Sequence, residues 1–375
     1  MKKRAELIIN IGKLRGNFKK LKEICPENYF IPMIKANAYG HGAAEFYEVL
    51  KGEERIEGFG LASIEEALLL RKKVKCYEKP LIIFSDIFIN DLNLADRYSE
   101  NLLIPVISSL DSLKEFLKSK CFERVPLYLK INTGMNRLGI KNEDIEEVAS
   151  LLKKFSRLQI DHLMTHFSDA SIIEGDNSKT VCQHQKFKKF KLEIEAKNIQ
   201  VKQTSVANSG AIEQRIGLGE THVRPGLILY GPSSLEKKCR EKSIWTGEMV
   251  SSFKAHIITY YDVKKGEQIG YGSTPCPKDG TLVIMAAGYG DGLSRSLQGA
   301  QINLGPHRGE VIGKVSMDMS ALVFPKLKNA KDGHDFLELW GSDNEVFLDL
   351  AEQMKKIPYE LFCGLTDRVT RTYTQ

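Results

Sequence analysis

Tyr29-Phe30-Ile31-Pro32-Met33-Ile34-Lys35-Ala36-Asn37-Ala38-Tyr39-Gly40-His41-Gly42 is the stretch on which the fold turns. A compact apolar run ends in a lysine and opens into a glycine-bearing turn, as a buried strand followed by a loop would. A dinucleotide-binding sheet needs G-x-G-x-x-G directly after its first strand, and Lys35 to Gly42 does not supply it. Similar short, β-branched runs follow at 58–62, 80–84, 103–108, 126–132, 159–167, 203–207 and 222–230. Charged stretches of helical spacing separate them at 43–50, 64–74, 91–98, 112–118, 143–155, 180–197 and 209–216. Strands alternating with helices imply a parallel sheet, and eight strands favour closure into a (β/α)8 TIM-type barrel.

Outside this series the texture differs. A short leading strand at 6–10 precedes a helix at 11–24 whose apolar residues fall at 11, 14, 18, 21 and 24. After Gly231 a polar, charge-rich segment at 232–242 reads as a boundary. Beyond it come strand-like runs at 246–261, 281–287, 301–304, 310–312, 320–324 and 336–339, one helix at 346–355 and a last strand at 369–373. The expected architecture is α/β plus β: a barrel over 10–235 followed by a mostly β domain over 236–375, which a strand within 1–9 would join.

Composition narrows the function classes. With 375 residues, 42% hydrophobic and 27% charged, the chain is globular. A compact monomer of this size exposes about 15,000 Å2. The net charge of +6 is mild, and Lys186, Lys188, Lys189 and Lys191 sit beside Glu193 and Glu195, so they read as a solvated helix face rather than a nucleic-acid footprint. No apolar run approaches the ~18 residues of a membrane span. Met1-Lys2-Lys3-Arg4 mimics the start of an export signal, but 5–11 is short and Lys13 interrupts it, so a cytoplasmic location is expected. Seven scattered cysteines without a C-x-x-C pair suit reduced thiols, not a disulfide framework or a zinc site.

In a barrel, chemistry sits at the C-terminal strand ends. Lys35 ends the first strand, Arg137 follows the fifth, His166 ends the sixth, Asn208-Ser209-Gly210 opens the turn after the seventh, and Arg224-Pro225-Gly226 lies in the eighth. A lysine inside an apolar run is either a Schiff-base nucleophile with its pKa lowered by burial or a side chain snorkelling from a strand end. Gly40 and Gly42 favour the first reading, because they would let the backbone approach a ligand closely. Ser209 and the amides of Gly210 and Gly226 would cradle a dianion where such barrels bind phosphate. A lysine plus an aldehyde carrying a phosphate is pyridoxal phosphate chemistry. His162 and His166 would share a strand face about 13 Å apart, with no intervening Glu, so no metal is expected. In the β domain, Gly270-Tyr271-Gly272 presents either a turn aromatic or a phenol for a neighbouring site. Gly288-Tyr289-Gly290-Asp291-Gly292 lacks the βα context of a nucleotide loop.

Together these motifs resemble the bacterial alanine racemases, which are fold-type III pyridoxal phosphate enzymes, over essentially the whole chain. The matching segments are Lys35 to Gly42, Thr133 to Gly139, Thr165-His166-Phe167, Ala207-Asn208-Ser209, Arg224-Pro225-Gly226 with Tyr230-Gly231, Gly270-Tyr271-Gly272, Gly288-Tyr289 with Asp291-Gly292, and Ser316-Met317-Asp318. The resemblance implies a cytoplasmic isomerase interconverting L-alanine and D-alanine, with D-alanine going to peptidoglycan. It implies a head-to-tail homodimer in which the β domain of one subunit completes the partner's site. Lys35 would bind pyridoxal 5′-phosphate covalently and act as one base, and Tyr271 from the other subunit as the second. Tyr39, Asn208, Ser209, Gly226 and Leu227 would hold the phosphate side, His166 would stack on the ring, and Arg224 would face the pyridine nitrogen. Arg137 would orient the phenolate oxygen, the Met317 amide would receive the substrate carboxylate, and Tyr289 with Asp318 would narrow the entrance.

The chemistry implied is coherent. An arginine keeps its proton and so leaves the ring neutral, which disfavours side reactions. Inversion needs a base on each face, each tuned down from a pKa near 10. Two positions depart from the common pattern: Asn132 where relatives often carry Asp, and Asp367 where some carry Tyr. Many relatives also carbamylate the lysine matching Lys130. The same scaffold would alternatively racemise serine or basic amino acids, or, with a carboxylate at the pyridine nitrogen, decarboxylate.

Overall fold

A computed structural model describes residues 3–85, 89, 91–173, 175, 178–327 and 334–375. Met1 and Lys2 of the signal-like start lie outside the described residues. The first strand, β1 (Ala5–Asn10), runs into the helix Ile11–Ile24. Asn10 ends the one and starts the other, because its side chain accepts from the Lys13 amide (2.7 Å) in place of an intrahelical bond.

Eight parallel strands follow: β2 (Tyr29–Phe30), β3 (Phe59–Leu61), β4 (Leu81–Ile83), β5 (Leu103–Ile107), β6 (Tyr128–Lys130), β7 (Gln159–Met164), β8 (Gln200–Ser205) and β9 (His222–Val223). Each pairs with the next from β3 to β9, and β9 pairs with β2. Parallel bridges Phe30–Ile56 and Met33–Gly60 close the ring. The expected (β/α)8 barrel is therefore present. Ile31, Ile82, Ile104, Val106, Tyr128 and Met164 fill its lumen as one buried cluster. Ser63, Ser109, Ser178 and Asn208 each cap the helix that follows, which places four of the barrel's turns by local chemistry.

The remaining strands are β10 (Ser251–Val263), β11 (Gln268–Ile269), β12 (Thr274–Pro275), β13 (Gly280–Met285), β14 (Gln301–Leu304), β15 (His307–Ile312), β16 (Ser320–Phe324), β17 (Phe336–Trp340) and β18 (Thr370–Thr374). They form a second sheet in the order β14-β15-β16-β13-β10-β1-β18, with β17 on β10 and β11-β12 as a separate hairpin. β1 lies inside this sheet, antiparallel to β10 and parallel to β18. A helix at Pro358–Gly364, unexpected from the sequence, packs the C-terminal segment onto the barrel mouth.

The first barrel strand is shorter than the apolar run suggests. The regular ladder ends at Phe30, although the Ile31 and Met33 amides still donate to the Val223 and Pro225 carbonyls and the Ile34 amide to the Gly60 carbonyl, and the chain then enters a left-handed turn. Ala36, Asn37, Ala38, Tyr39 and Gly40 all have positive φ, from 50° to 79°. For L-residues this costs about 1–2 kcal/mol each, so the turn must be held from outside. His41, fully buried, bonds the Tyr39 carbonyl (2.9 Å) and Ser251 Oγ (2.9 Å), tying the turn to β10. The Ala36 amide donates to Glu66 Oε1 (2.8 Å), tying it to the next barrel unit.

Candidate active site

Lys35 sits at the head of the left-handed turn, at the barrel's C-terminal mouth. Burial and the nearby Arg137 lower its pKa, and Glu66 opposes them. The glycines behind it have a different use from the one expected. A Cβ on Gly40 would lie 2.5 Å from the Phe362 carbonyl oxygen, and one on Gly42 would lie 2.1 Å from Tyr373 Oη. They admit the C-terminal segment, not a ligand, while their φ of 79° and 101° completes the turn.

At Gly226 the close approach is instead to polar side chains at the mouth. A Cβ there would meet Tyr39 Oη at 2.8 Å and stand 3.6 Å from Ser209 Oγ. The Gly226 amide donates to Ser209 Oγ (2.9 Å), which leaves the serine's own proton pointing elsewhere. Asn208 has both ends of its amide engaged, donating to the Phe167 carbonyl and accepting from the Ala211 amide, so it places Ser209. Tyr39 is buried against Tyr230 and Tyr359, and burial pushes its phenol well above the usual range, so it remains a donor. Leu227 is buried at the start of the short helix Leu227–Tyr230. His166, Ser209, Leu227 and Tyr359 line a cavity of about 550 Å3. Two hydroxyls converge here on a backbone that has no room for a Cβ, a candidate cradle for an oxyanion.

Cationic charge is concentrated around this cradle. Lys35, Lys130, Arg137 and Arg224 influence one another, yet among the described residues none forms an ion pair. Burial, Arg224, Arg137 and Lys35 bring the Lys130 ammonium down to about 8. Burial brings Arg224 to about 10, so it stays charged at neutral pH. Its Nη2 donates to the Thr165 carbonyl (2.5 Å) and its Nη1 to Ser205 Oγ. Burial and the same cations hold His166 neutral. An anionic ligand is the natural counter-charge for such a site.

The β-domain residues lie apart. Tyr271 is at the tip of the β11–β12 hairpin, where Gly270, Gly272 and Ser273 all have positive φ and turn the phenol outward, leaving it 72% exposed. Val263, Ile269, Cys276, Ile312 and Val323 pack beneath the hairpin and fix its base. Met317 (52% exposed) and Tyr289 are neighbours, because the Gly290 amide donates to the Met317 carbonyl (2.8 Å). Asp318 pairs with Arg368 (2.7 Å), which also reaches the buried Asp291 (3.2 Å). Among the described residues no hydrogen bond or ion pair links Tyr271, Tyr289, Met317 or Asp318 to Lys35, Arg137 or Arg224 of the same chain.

Sequence reasoning missed Glu66, whose two oxygens accept from the Ala36 and Ala62 amides (2.8 and 2.9 Å). Its signal, Ser63-x-x-Glu66, reads as a helix cap. Tyr359 was missed with its helix. Of the two departures, Asn132 accepts from the Gly134 and Asn136 amides and donates to Asn136 Oδ1, so it organises the loop leading to Arg137. Asp367 is exposed. Among the described residues no helix is long and apolar enough to cross a membrane, and all seven cysteines are free.

Comparison with known proteins covers the full length. The family model described as "Alanine racemase, N-terminal domain" matches residues 9–234, and "Alanine racemase, C-terminal domain" matches 250–373. The alanine racemase of Coxiella burnetii (strain CbuG_Q212) is 34% identical over 376 aligned residues, covering 98% of each chain. The solved alanine racemase of Acinetobacter baumannii superposes with a TM-score of 0.83 at 28% identity, covering 100% of each chain. That of Bartonella henselae, solved with covalently bound pyridoxal phosphate, has a TM-score of 0.83 with 100% of each chain covered; at 22% identity this is a likeness of fold.

Proposed function

The chain belongs to the alanine racemase family, a family of isomerases, and from that premise we propose that it interconverts L- and D-alanine with pyridoxal 5′-phosphate as cofactor. The observation that carries this reading is the barrel mouth itself: a lysine of lowered pKa, two hydroxyls converging at Gly226, and an unpaired cluster of cations. When bound, the cofactor supplies an electron sink that acidifies the substrate Cα–H.

The protein's own groups do the rest. Tyr39, Ser209 and the Gly226–Leu227 backbone hold the phosphate, with Asn208 fixing Ser209. Arg224, which stays protonated, would face the ring nitrogen, and His166, held neutral, would pack on the ring. Lys35 Nζ would bind the cofactor and move a proton on one face of the substrate Cα, with burial and Arg137 lowering its pKa in the direction a base needs. The partner's Tyr271 moves a proton on the opposite face through its Oη, with Arg137 orienting that oxygen. The Met317 amide receives the substrate carboxylate, and Tyr289 and Asp318 restrict the entrance.

Two features support a shared site in a homodimer. Tyr271, Tyr289, Met317 and Met319 are all large apolar or aromatic side chains left exposed in the single chain. The described chain also exposes 17738 Å2, against about 15,000 Å2 for a compact monomer of this size. The free cysteines fit a reducing cytosol, where the D-alanine would serve peptidoglycan assembly.

The test is a racemisation assay on L-alanine, L-serine and L-lysine with the purified holoprotein. Alanine is expected to turn over fastest, and faster conversion of serine or lysine would overturn the substrate assignment.

A further inference from the structure

Beneath the mouth, a chain of polar side chains that the proposed mechanism does not use leads from Arg224 along the barrel axis. Arg224 Nη1 donates to Ser205 Oγ, which lies 2.7 Å from His162 Nε2. His162 Nδ1 is 3.4 Å from Gln203 Oε1, and Gln203 Nε2 donates to Glu57 Oε1 (3.2 Å). Arg224, Ser205 and His162 are buried, at 3%, 0% and 0% exposure.

The two ends of this chain fix the direction of every link. A guanidinium only donates, so Ser205 Oγ accepts from Arg224 and has one proton left to give. That proton goes to His162 Nε2, the other group in reach. The imidazole, held neutral by burial with His222 and Arg224 beside it, then carries its hydrogen on Nδ1. Nδ1 donates to the Gln203 carbonyl oxygen, and the Gln203 amide donates to the Glu57 carboxylate, which only accepts. Tyr128 stacks on the His162 ring at 4.7 Å and His222 meets it edge-on at 5.0 Å, so the imidazole cannot turn freely.

We propose that His162 is a positioning residue for Arg224, acting through Ser205 to hold the guanidinium in place at the barrel mouth. The other recorded partners of the guanidinium, the carbonyls of Thr165 and Val206, belong to the backbone around the strand ends. Among the described residues Ser205 is its one side-chain partner, and a serine hydroxyl is a free rotor unless its proton has somewhere to go. With no acceptor at 162, the hydroxyl can swing its proton toward the guanidinium, and a buried charge then loses a bond. This inference rests on the proposed placement of Arg224 beside the cofactor.

The experiment uses the holoprotein and reads the cofactor's visible absorbance and emission alongside kcat/KM. His162→Leu is expected to shift the band and lower kcat/KM about tenfold, as loss of one hydrogen bond to a charged group would. His162→Gln, whose amide oxygen can take the Ser205 proton, is expected to recover most of that loss. Ser205→Ala should reproduce the Leu variant, and adding His162→Leu to it should change nothing further. Additive losses in the double variant, or a Gln variant as impaired as Leu while folded by circular dichroism, would overturn the relay. If the Leu variant does not fold, an unshifted band in Ser205→Ala overturns it instead. Arg224→Lys separates the two readings. A shifted band there, with no shift from His162→Leu or Ser205→Ala, overturns the relay alone. No shift in any of them overturns the placement of Arg224 and the relay with it.

Discussion

At the barrel mouth Arg224 is enclosed on every side, Ser209 takes a hydrogen bond from Gly226, and Lys35 is held at the head of a turn that three separate segments brace. On the β domain Tyr271 stands at a hairpin tip with most of its surface in water. The first region is preorganised by its own fold and can hold charge and geometry before anything binds. The second is only a presented group, positioned at its base and free at its end. A phenol in water is a poor base at neutral pH. It becomes useful only when another surface supplies the cations and excludes the solvent, and the unpaired cations of the barrel mouth are suited to that. The contrast fits the proposal that the two regions are halves of one site divided between two chains.

The largest expected effect tests the preorganised half. Lys35→Ala should lose the absorbance of the covalently held cofactor and lower kcat by about 10^4-fold or more, since one group both anchors the cofactor and moves a proton. A variant that keeps the band would show that Lys35 is a snorkelling lysine after all.

Mixed dimers test the division itself. Tyr271→Phe should keep the cofactor band but lose about 10^2- to 10^4-fold in rate, with proton exchange from one face most affected. If the site is shared, co-refolding equal amounts of Lys35→Ala and Tyr271→Phe subunits restores activity. Half of randomly assorted dimers are hybrids, and each has one barrel with Lys35 facing an intact partner's Tyr271, so about a quarter of wild-type activity should return. No recovery from verified hybrids would mean that each chain supplies its own tyrosine, and the comparison drawn above would fail.

Lys130 tests how much cationic crowding the mouth tolerates. Its ammonium is lowered from 10.5 to about 8, with burial the main cause and Arg224, Arg137 and Lys35 adding to it. Between those values the unfolded chain binds more protons than the folded one, so stability rises with pH across that window and the penalty is fully present below pH 8. Cofactor-free protein in bicarbonate-free buffer should therefore gain thermal stability from pH 7 to 10, and Lys130→Met should flatten that gain. An equal slope in the variant would remove Lys130 from the cluster. A partly neutral amine can also add carbon dioxide, forming a carbamate N–C bond and releasing one proton to solvent. The resulting anion would lie among cations, and mass spectrometry of protein kept in bicarbonate should find it on Lys130.

Much of this was legible in the sequence, and the gaps have physical causes. The barrel's rhythm and the mouth residues could be read because short buried strands must be apolar and chemistry collects at their ends. Strand limits could not: the run from Ile31 to Ile34 is as apolar as a strand and keeps scattered backbone bonds to its neighbours, but Pro32 has no N–H to give and interrupts the regular ladder. Ala36-Asn37-Ala38 carries no local sign of a left-handed turn, because the turn is imposed by His41, Glu66 and the C-terminal segment. Pro358 reads as a breaker, yet it occupies the first turn of Pro358–Gly364, where its missing N–H costs nothing. Ser205 and His162 look like ordinary strand residues, and their pairing across β7 and β8 appears only when the strands lie side by side.

The smallest expected effect concerns Asn132, the departure from the commoner Asp. Its side-chain oxygen accepts from the Gly134 and Asn136 amides at 3.0 and 3.1 Å, a task that either an amide or a carboxylate performs. The difference lies in the second atom. The Asn132 amide nitrogen donates to Asn136 Oδ1 (3.0 Å), and a carboxylate oxygen in its place would only accept, so Asn136 would have to turn its own amide inward. Asn132→Asp also sets a negative charge near the cations of the mouth, in a loop where Arg137 is exposed and solvent screens the interaction. Both changes can be absorbed locally, so kcat/KM should move by about threefold or less, consistent with an exposed charge interaction below 1 kcal/mol. A loss of about a hundredfold would show that the loop before Arg137 is as tightly preorganised as Arg224, and would extend the rigid half of the site outward to its rim.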